Sequence, residues 1–231
     1  MQHPPVVLLH GALGAASQLE PLKQALETGG PVFTVELPGH GQQPFDAEGF
    51  SIELFADCLI QYLREKECKK VDFFGYSMGG YVALYAAQKH PGYFDRITTL
   101  ATKFAWDPET ARKETALLNP DRMLEKVPAF AASLQQRHRH GWEENLRQTA
   151  ALMTGLGNQP RLSREQLQQI RVPCRIAVGS ADKMVSMAET QWAAGCLPEG
   201  VFECLEGLPH PIEKMDPDRL AGWIRSPFKK T

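Results

Sequence analysis

The chain of 231 residues is predicted to fold as α/β, a doubly wound and mainly parallel sheet of about six strands. Three observations predict it. Short apolar runs rich in β-branched and aromatic residues alternate with longer segments of helical periodicity. No two runs are joined by a hairpin signal, so successive strands are connected through helices and lie parallel. One helical stretch, 102–170, interrupts the alternation after the fourth strand. It is read as a helical cap inserted within a single domain spanning 1–231.

Val6 to Leu9 is the first buried run, and it leads directly into His10-Gly11-Ala12-Leu13-Gly14. Leu19, Leu22 and Leu26 then recur at helical spacing until Gly29-Gly30 stops them. Val32 to Leu37 is the second strand, followed by LPGHGQQP, a loop rich in turn formers. Ser51 is a good N-cap for a helix whose face carries Leu54, Phe55, Cys58, Leu59 and Leu63. The third strand, Val71 to Phe74, opens the stretch KVDFFGYSMGGYVALYAA, which closes as a helix with apolar groups on more than one face. Arg96 to Ala101 is the fourth strand. Helical segments follow at Asp107 to Leu118, Asp121 to Arg137, Gly141 to Thr154 and Ser163 to Ile170. Strand five, Cys174 to Val178, restores the alternation. Helix Ser186 to Cys196, strand Val201 to Leu205 and helix Pro217 to Ile224 complete it.

Composition narrows the function. The chain is 43% hydrophobic and 23% charged, ordinary for a globular protein. Its 25 basic and 27 acidic residues leave a charge of -2, which gives no reason to expect nucleic acid or an anionic membrane as partner. No apolar run approaches the roughly 20 residues that span a bilayer. The N-terminus lacks a basic n-region, so no signal peptide is expected. Five cysteines, Cys58, Cys68, Cys174, Cys196 and Cys204, are scattered without C-x-x-C. They read as reduced thiols of a cytoplasmic protein, with neither disulfides nor a metal site. No cofactor is expected.

The chemistry gathers at the strand ends. Between the third strand and its helix lies Gly75-Tyr76-Ser77-Met78-Gly79, a G-x-S-x-G motif in the strand-turn-helix context that it requires. Such a turn strains the middle residue and lifts its hydroxyl above the sheet edge. The flanking glycines let strand and helix approach closely. A serine hydroxyl is a poor nucleophile unless a base activates it and an acid orients that base. Strand five runs into Gly179-Ser180-Ala181-Asp182, and the last strand into Gly207-Leu208-Pro209-His210. Reacting groups of such sheets collect beyond the carboxyl ends of the strands. Ser77, Asp182 and His210 all lie there, in the order Ser, Asp, His of one convergent triad. Asp107, just after strand four, is the rival to Asp182.

With these pieces together, the chain resembles the α/β-hydrolases. "LLHG", "LPGHG", "GYSMGG", "GSADKMV" and "GLPHPIE" stand in the family's order and cover nearly all of the fold from its third strand onward. The first two strands of the family are missing, and the loop that often reads G-H-G-x-S here reads His40-Gly41-Gln42-Gln43-Pro44. The resemblance implies Ser77 as nucleophile, His210 as general base and then acid, and Asp182 as its orienting group. It implies an oxyanion hole from the backbone N–H groups of Ala12 and Met78. Within the family the chain is most similar to small single-domain serine esterases and the cofactor-independent lyase of menaquinone synthesis. A serine at the elbow argues against the dehalogenase and epoxide hydrolase branches.

Leu13, Tyr76, Phe104, Trp106, Trp142, Met153 and Met184 are the candidates for lining the pocket. Phe104 and Trp106, directly after strand four, are expected nearest the acyl group. His10 and His40 read as loop-ordering residues, His138 and His140 as a solvated turn, and Asp72 as the end of a loop. Lys103, Arg112, Arg137 and Arg147 could hold a substrate carboxylate, although such charges are usually solvated. The function implied is a serine hydrolase that cleaves a small carboxylic ester or thioester through an acyl-enzyme. The alternatives are a lyase or C–C bond hydrolase on the same triad and, in another class, a non-catalytic ligand receptor. Monomer and dimer both remain open.

Overall fold

The computed structural model describes residues 4–228. Its core is one six-stranded sheet in the order β2-β1-β3-β4-β5-β6, every pairing parallel. The strands are β1 (Val6–Leu9), β2 (Val32–Val35), β3 (Val71–Tyr76), β4 (Phe94–Leu100), β5 (Cys174–Gly179) and β6 (Gly200–Leu205). Residues of β1, β3 and β5 are buried throughout, which explains their unbroken apolar runs. Asp72 was expected to end a loop. It is instead the second residue of β3, buried, and its carboxylate accepts from Arg96 Nε of β4 at 2.8 Å. That partner across the ladder is what makes a carboxylate tolerable there.

Helices cover both faces. On one lie α2 (Ile52–Glu65), α3 (Met78–Lys89) and α9 (Met187–Cys196), packed on a core that includes Phe55, Phe73, Val82 and Ile176. On the other, α1 (Glu20–Glu27) and α10 (Pro217–Arg225) pack on Leu8, Phe74 and Ala177. From Gly79 to Ala87 every residue of α3 is buried, so its lack of a polar face follows from its place in the core.

Between β4 and β5 come five helices: α4 (Pro108–Thr115), α5 (Pro120–Lys126), α6 (Pro128–Arg137), α7 (Trp142–Asn158) and α8 (Arg164–Leu167). The helix expected over 121–137 is broken at Val127, which sits at φ -142° and ψ 57°. Pro128 is the cause: its ring drives the preceding residue out of the helical region, and it supplies no N–H. Asn145 Nδ2 donates to Gly39 O at 2.8 Å, tying α7 to the loop after β2. Leu152 and Leu156 of α7 join the main core, and Trp142, Leu134 and Met123 form a smaller one with Leu13. Leu162, Leu167 and Ile170 return to the main core beside β5.

Candidate active site

Ser77 occupies the turn between β3 and α3 at φ 52° and ψ -119°. Only glycine adopts a positive φ without strain, so the turn must be held from outside. Ser77 N–H donates to Leu100 O at 2.8 Å, and Ser77 O accepts from Gly80 N–H at 3.0 Å and from Thr102 Oγ1 at 2.9 Å. The flanking glycines are sterically required. A Cβ on Gly75 would strike the backbone of Gly80, and one on Gly79 would strike the carbonyls of Leu9 and His10.

Asp182 and His210 meet beyond β5 and β6. His210 Nδ1 lies 2.8 Å from Asp182 Oδ2. The other carboxylate oxygen accepts from the backbone N–H of Met184 at 2.8 Å and of Val185 at 2.9 Å. Burial works to raise the pKa of this carboxyl. The bonds from His210, Val185 and Met184 outweigh it and hold Asp182 below the usual carboxylate range. An ionised Asp182 fixes the proton of His210 on Nδ1, leaving Nε2 as the free base. Tyr76 Oη donates to the carbonyl of His210 at 2.8 Å, fixing the histidine loop from the end of β3. Asp107, the rival acid, accepts from Thr110 N–H as the N-cap of α4 and is not hydrogen-bonded to His210.

The loop after β1 also approaches Ser77: a Cβ on Gly11 would lie 3.0 Å from Ser77 Cβ, and the next residue, Ala12, lines the same cavities as the serine. His10 and His40 order this region, as expected. His10 Nδ1 meets Gly11 O at 2.8 Å while Nε2 accepts from Leu37 N–H at 3.3 Å, and burial pushes its pKa down to about 4. His40 Nδ1 meets Pro38 O at 2.9 Å, its ring stacked on Phe50. His138 corrects the expectation of a solvated turn: it is buried, with Nε2 3.0 Å from Leu13 O and Nδ1 accepting from Gly41 N–H at 3.1 Å. Only its sequence neighbour His140 is exposed.

Two arms open from Ser77 and His210. One is a narrow pocket of about 60 Å³, lined by Tyr81, Trp106, Leu152, Leu156 and Val185. The other is a cleft of about 520 Å³, running past Leu13, Tyr76 and Arg137 to Leu117, Val127 and Phe130. Ala12, Met153 and Met184 border both, and Met78 borders the narrow one. Five of the seven expected pocket residues therefore face these arms. Phe104 and Trp142 do not. Phe104 packs beside Tyr81 and lines a separate cavity behind Trp106, and Trp142 is buried with Leu13, Met123 and Leu146. Nearness in sequence to a strand end does not set side-chain direction, which accounts for Phe104; Trp142 is spent on the small core that the helices between β4 and β5 build with Leu13. Lys103 is paired with Glu114 at 3.3 Å at the narrow arm, and Arg137 with Glu213 at 3.2 Å at the wide one. The roles of Thr102 and of the Tyr76 hydroxyl were missed. Neither belongs to a local pattern that marks it.

Among the described residues no group of histidine, cysteine, aspartate and glutamate could hold a metal ion. No helix among them is long and apolar enough to cross a membrane.

The model of the alpha/beta hydrolase fold matches residues 4–171, and this chain belongs to that family. It is similar to the pimeloyl-[acyl-carrier protein] methyl ester esterase of Aromatoleum aromaticum, 29% identical over 237 aligned positions that cover 91% of this chain and 92% of the other. A protein of the same description from Neisseria meningitidis serogroup C is 35% identical over 109 positions, 47% of this chain and 40% of its own length. Among solved structures, a thermophilic esterase from Thermogutta terrifontis matches with a TM-score of 0.76 at 21% identity, covering 97% of this chain and 89% of that one. That likeness concerns the fold.

Proposed function

We propose that this protein is a serine esterase that cleaves a small carboxylic ester or thioester through an acyl-enzyme on Ser77. The observation that carries the reading is the 2.8 Å bond from His210 Nδ1 to Asp182, made where His210 and Ser77 border the same two arms. Ser77 Oγ attacks the ester carbonyl carbon and passes its proton to His210 Nε2. The oxyanion formed is received by the N–H groups of Ala12 and Met78, each worth about 3 kcal/mol in the transition state. The tetrahedral intermediate collapses as His210 protonates the departing alcohol or thiol. Water, deprotonated by the same histidine, then releases the acid and restores Ser77.

The inserted segment 102–170 acts as the cap of this site, with α7 and Trp106 roofing the serine. Its two unequal arms suit an ester with one short side. The narrow arm holds a group of one or two carbons, since about 30 Å³ is the share of a single water. The wide cleft takes the longer part. A short alkyl ester at the end of a longer acyl chain has this shape, and the relatives described as methyl ester esterases support it. Five free cysteines support a cytoplasmic location for the enzyme. The test is turnover of a series from methyl to hexyl esters of one medium-chain acid. A rate that peaks at methyl or ethyl supports the assignment of the arms, and a peak at hexyl overturns it. Turnover retained in Ser77→Ala overturns the nucleophile.

A further inference from the structure

The carbonyl of Leu13 is gripped by the inserted helices. Leu13 follows Ala12, the proposed oxyanion donor, and sits at φ 57°, a conformation that residues other than glycine avoid. Its oxygen accepts from Arg137 Nη1 at 2.8 Å and from His138 Nε2 at 3.0 Å, so both lone pairs are taken. Both donors come from the carboxyl end of α6. The donation from His138 is fixed by its other nitrogen, which accepts from Gly41 N–H, and a 3.0 Å bond from Arg139 N–H to Gly41 O closes the same corner. Arg137 also reaches the opposite wall: Nη2 lies 3.2 Å from Glu213, three residues after His210. Its side chain is only 15% exposed, as expected of a guanidinium spent on internal contacts.

We propose that Arg137 and His138 are positioning residues that set the oxyanion hole from the inserted helices. By holding the Leu13 carbonyl they keep the strained Ala12–Leu13 turn in the one orientation that aims the Ala12 N–H at Ser77. The hole is then complete only while α6 is docked, which couples seating of the cap to catalysis. The inference rests on the esterase reading above and deepens it.

Arg137→Met and His138→Phe each remove one donor. The readouts are kcat, KM, and the affinities of a trifluoromethyl ketone, which mimics the oxyanion, and of the product acid, which does not. Each variant is expected to lower kcat and ketone affinity together by about ten- to a hundredfold, a fraction of the loss from deleting an oxyanion donor outright. KM and product affinity are expected to stay within about twofold. His138→Gln, whose amide N–H reaches toward the same carbonyl, is expected to recover most of the rate. Unchanged kcat in Arg137→Met overturns the proposal. So does an equal loss of ketone and product affinity, which marks general damage to the pocket. Should His138→Phe fail to fold, the less buried Arg137→Met decides alone. Ser77→Ala separates the two levels: an active Ser77→Ala removes the esterase reading itself, whereas an inactive Ser77→Ala beside a fully active Arg137→Met removes only the clamp.

Discussion

Ser77 is held in its strained turn by four hydrogen bonds to its own backbone, from or to Leu100, Gly80, Tyr81 and Thr102. Such a conformation costs on the order of 1–3 kcal/mol, and it persists because its surroundings over-determine it. Thr102 Oγ1 supplies the one side-chain bond among the four. Thr102→Val keeps the shape and removes that bond, so we expect about 1 kcal/mol of lost stability in urea denaturation and a lower kcat. An unchanged urea midpoint contradicts this role. Asp182→Asn leaves the packing almost intact but lets His210 take the wrong tautomer. We expect a loss in kcat of up to about 10⁴ with KM little altered, read from steady-state kinetics of ester turnover. The three residues Ser77, Asp182 and His210 were legible because each follows the end of a strand inside a short pattern. Thr102, Arg137 and His138 were not. Their contacts span 25, 124 and 125 positions, and no local pattern announces a bond of that range.

At the scale of elements, the strands of the sheet were readable because full burial leaves near-continuous apolar runs. The inserted helices were readable as helices, but not in their directions. Phe104 and Trp106 stand two positions apart in a segment without regular structure, yet only Trp106 borders the narrow arm. Such a segment has no fixed alternation of faces from which side-chain direction could be read. Trp106 separates the narrow arm from a second cavity of about 430 Å³, also lined by Pro160, Leu162 and Trp192. Trp106→Ala should join the two. The alkyl group accepted at the narrow arm should then lengthen by several carbons, as read from relative kcat/KM across the ester series. An unchanged profile would leave Trp106 as packing alone.

In the whole molecule three buried histidines tie the pH response to the loops around the site: His10, His138 and His40, the last held by burial well below the usual histidine value and acting in the same direction as the other two. Burial first, opposed by their backbone bonds, lowers the pKa of His10 and of His138 from 6.5 to about 4. Both are neutral in the folded chain at pH 5, whereas in the unfolded chain they are protonated. The unfolded state therefore binds more protons between about pH 6.5 and 4, and stability falls as pH falls through that window. From pH 7 to 5 each of these two removes about 2 kcal/mol. Asp182, held low, loses its contribution only below its unfolded value of 3.8, so the two effects separate. Urea midpoints at pH 7 and pH 5 check this, and equal midpoints contradict it. Overall topology was legible because one chain direction, six apolar runs and no hairpins leave few arrangements. The packing of α6 against the Leu13 loop was not, since it depends on how the helices between β4 and β5 settle on a finished sheet. The proposed role of Ser77 as the activated nucleophile is open to direct labelling with a fluorophosphonate. Intact-mass and peptide analysis should find one phosphonyl group per chain, on Ser77, absent from Ser77→Ala and formed far more slowly in His210→Ala. Adducts on another residue, or none in a preparation that turns over esters, would rule out Ser77 as the nucleophile.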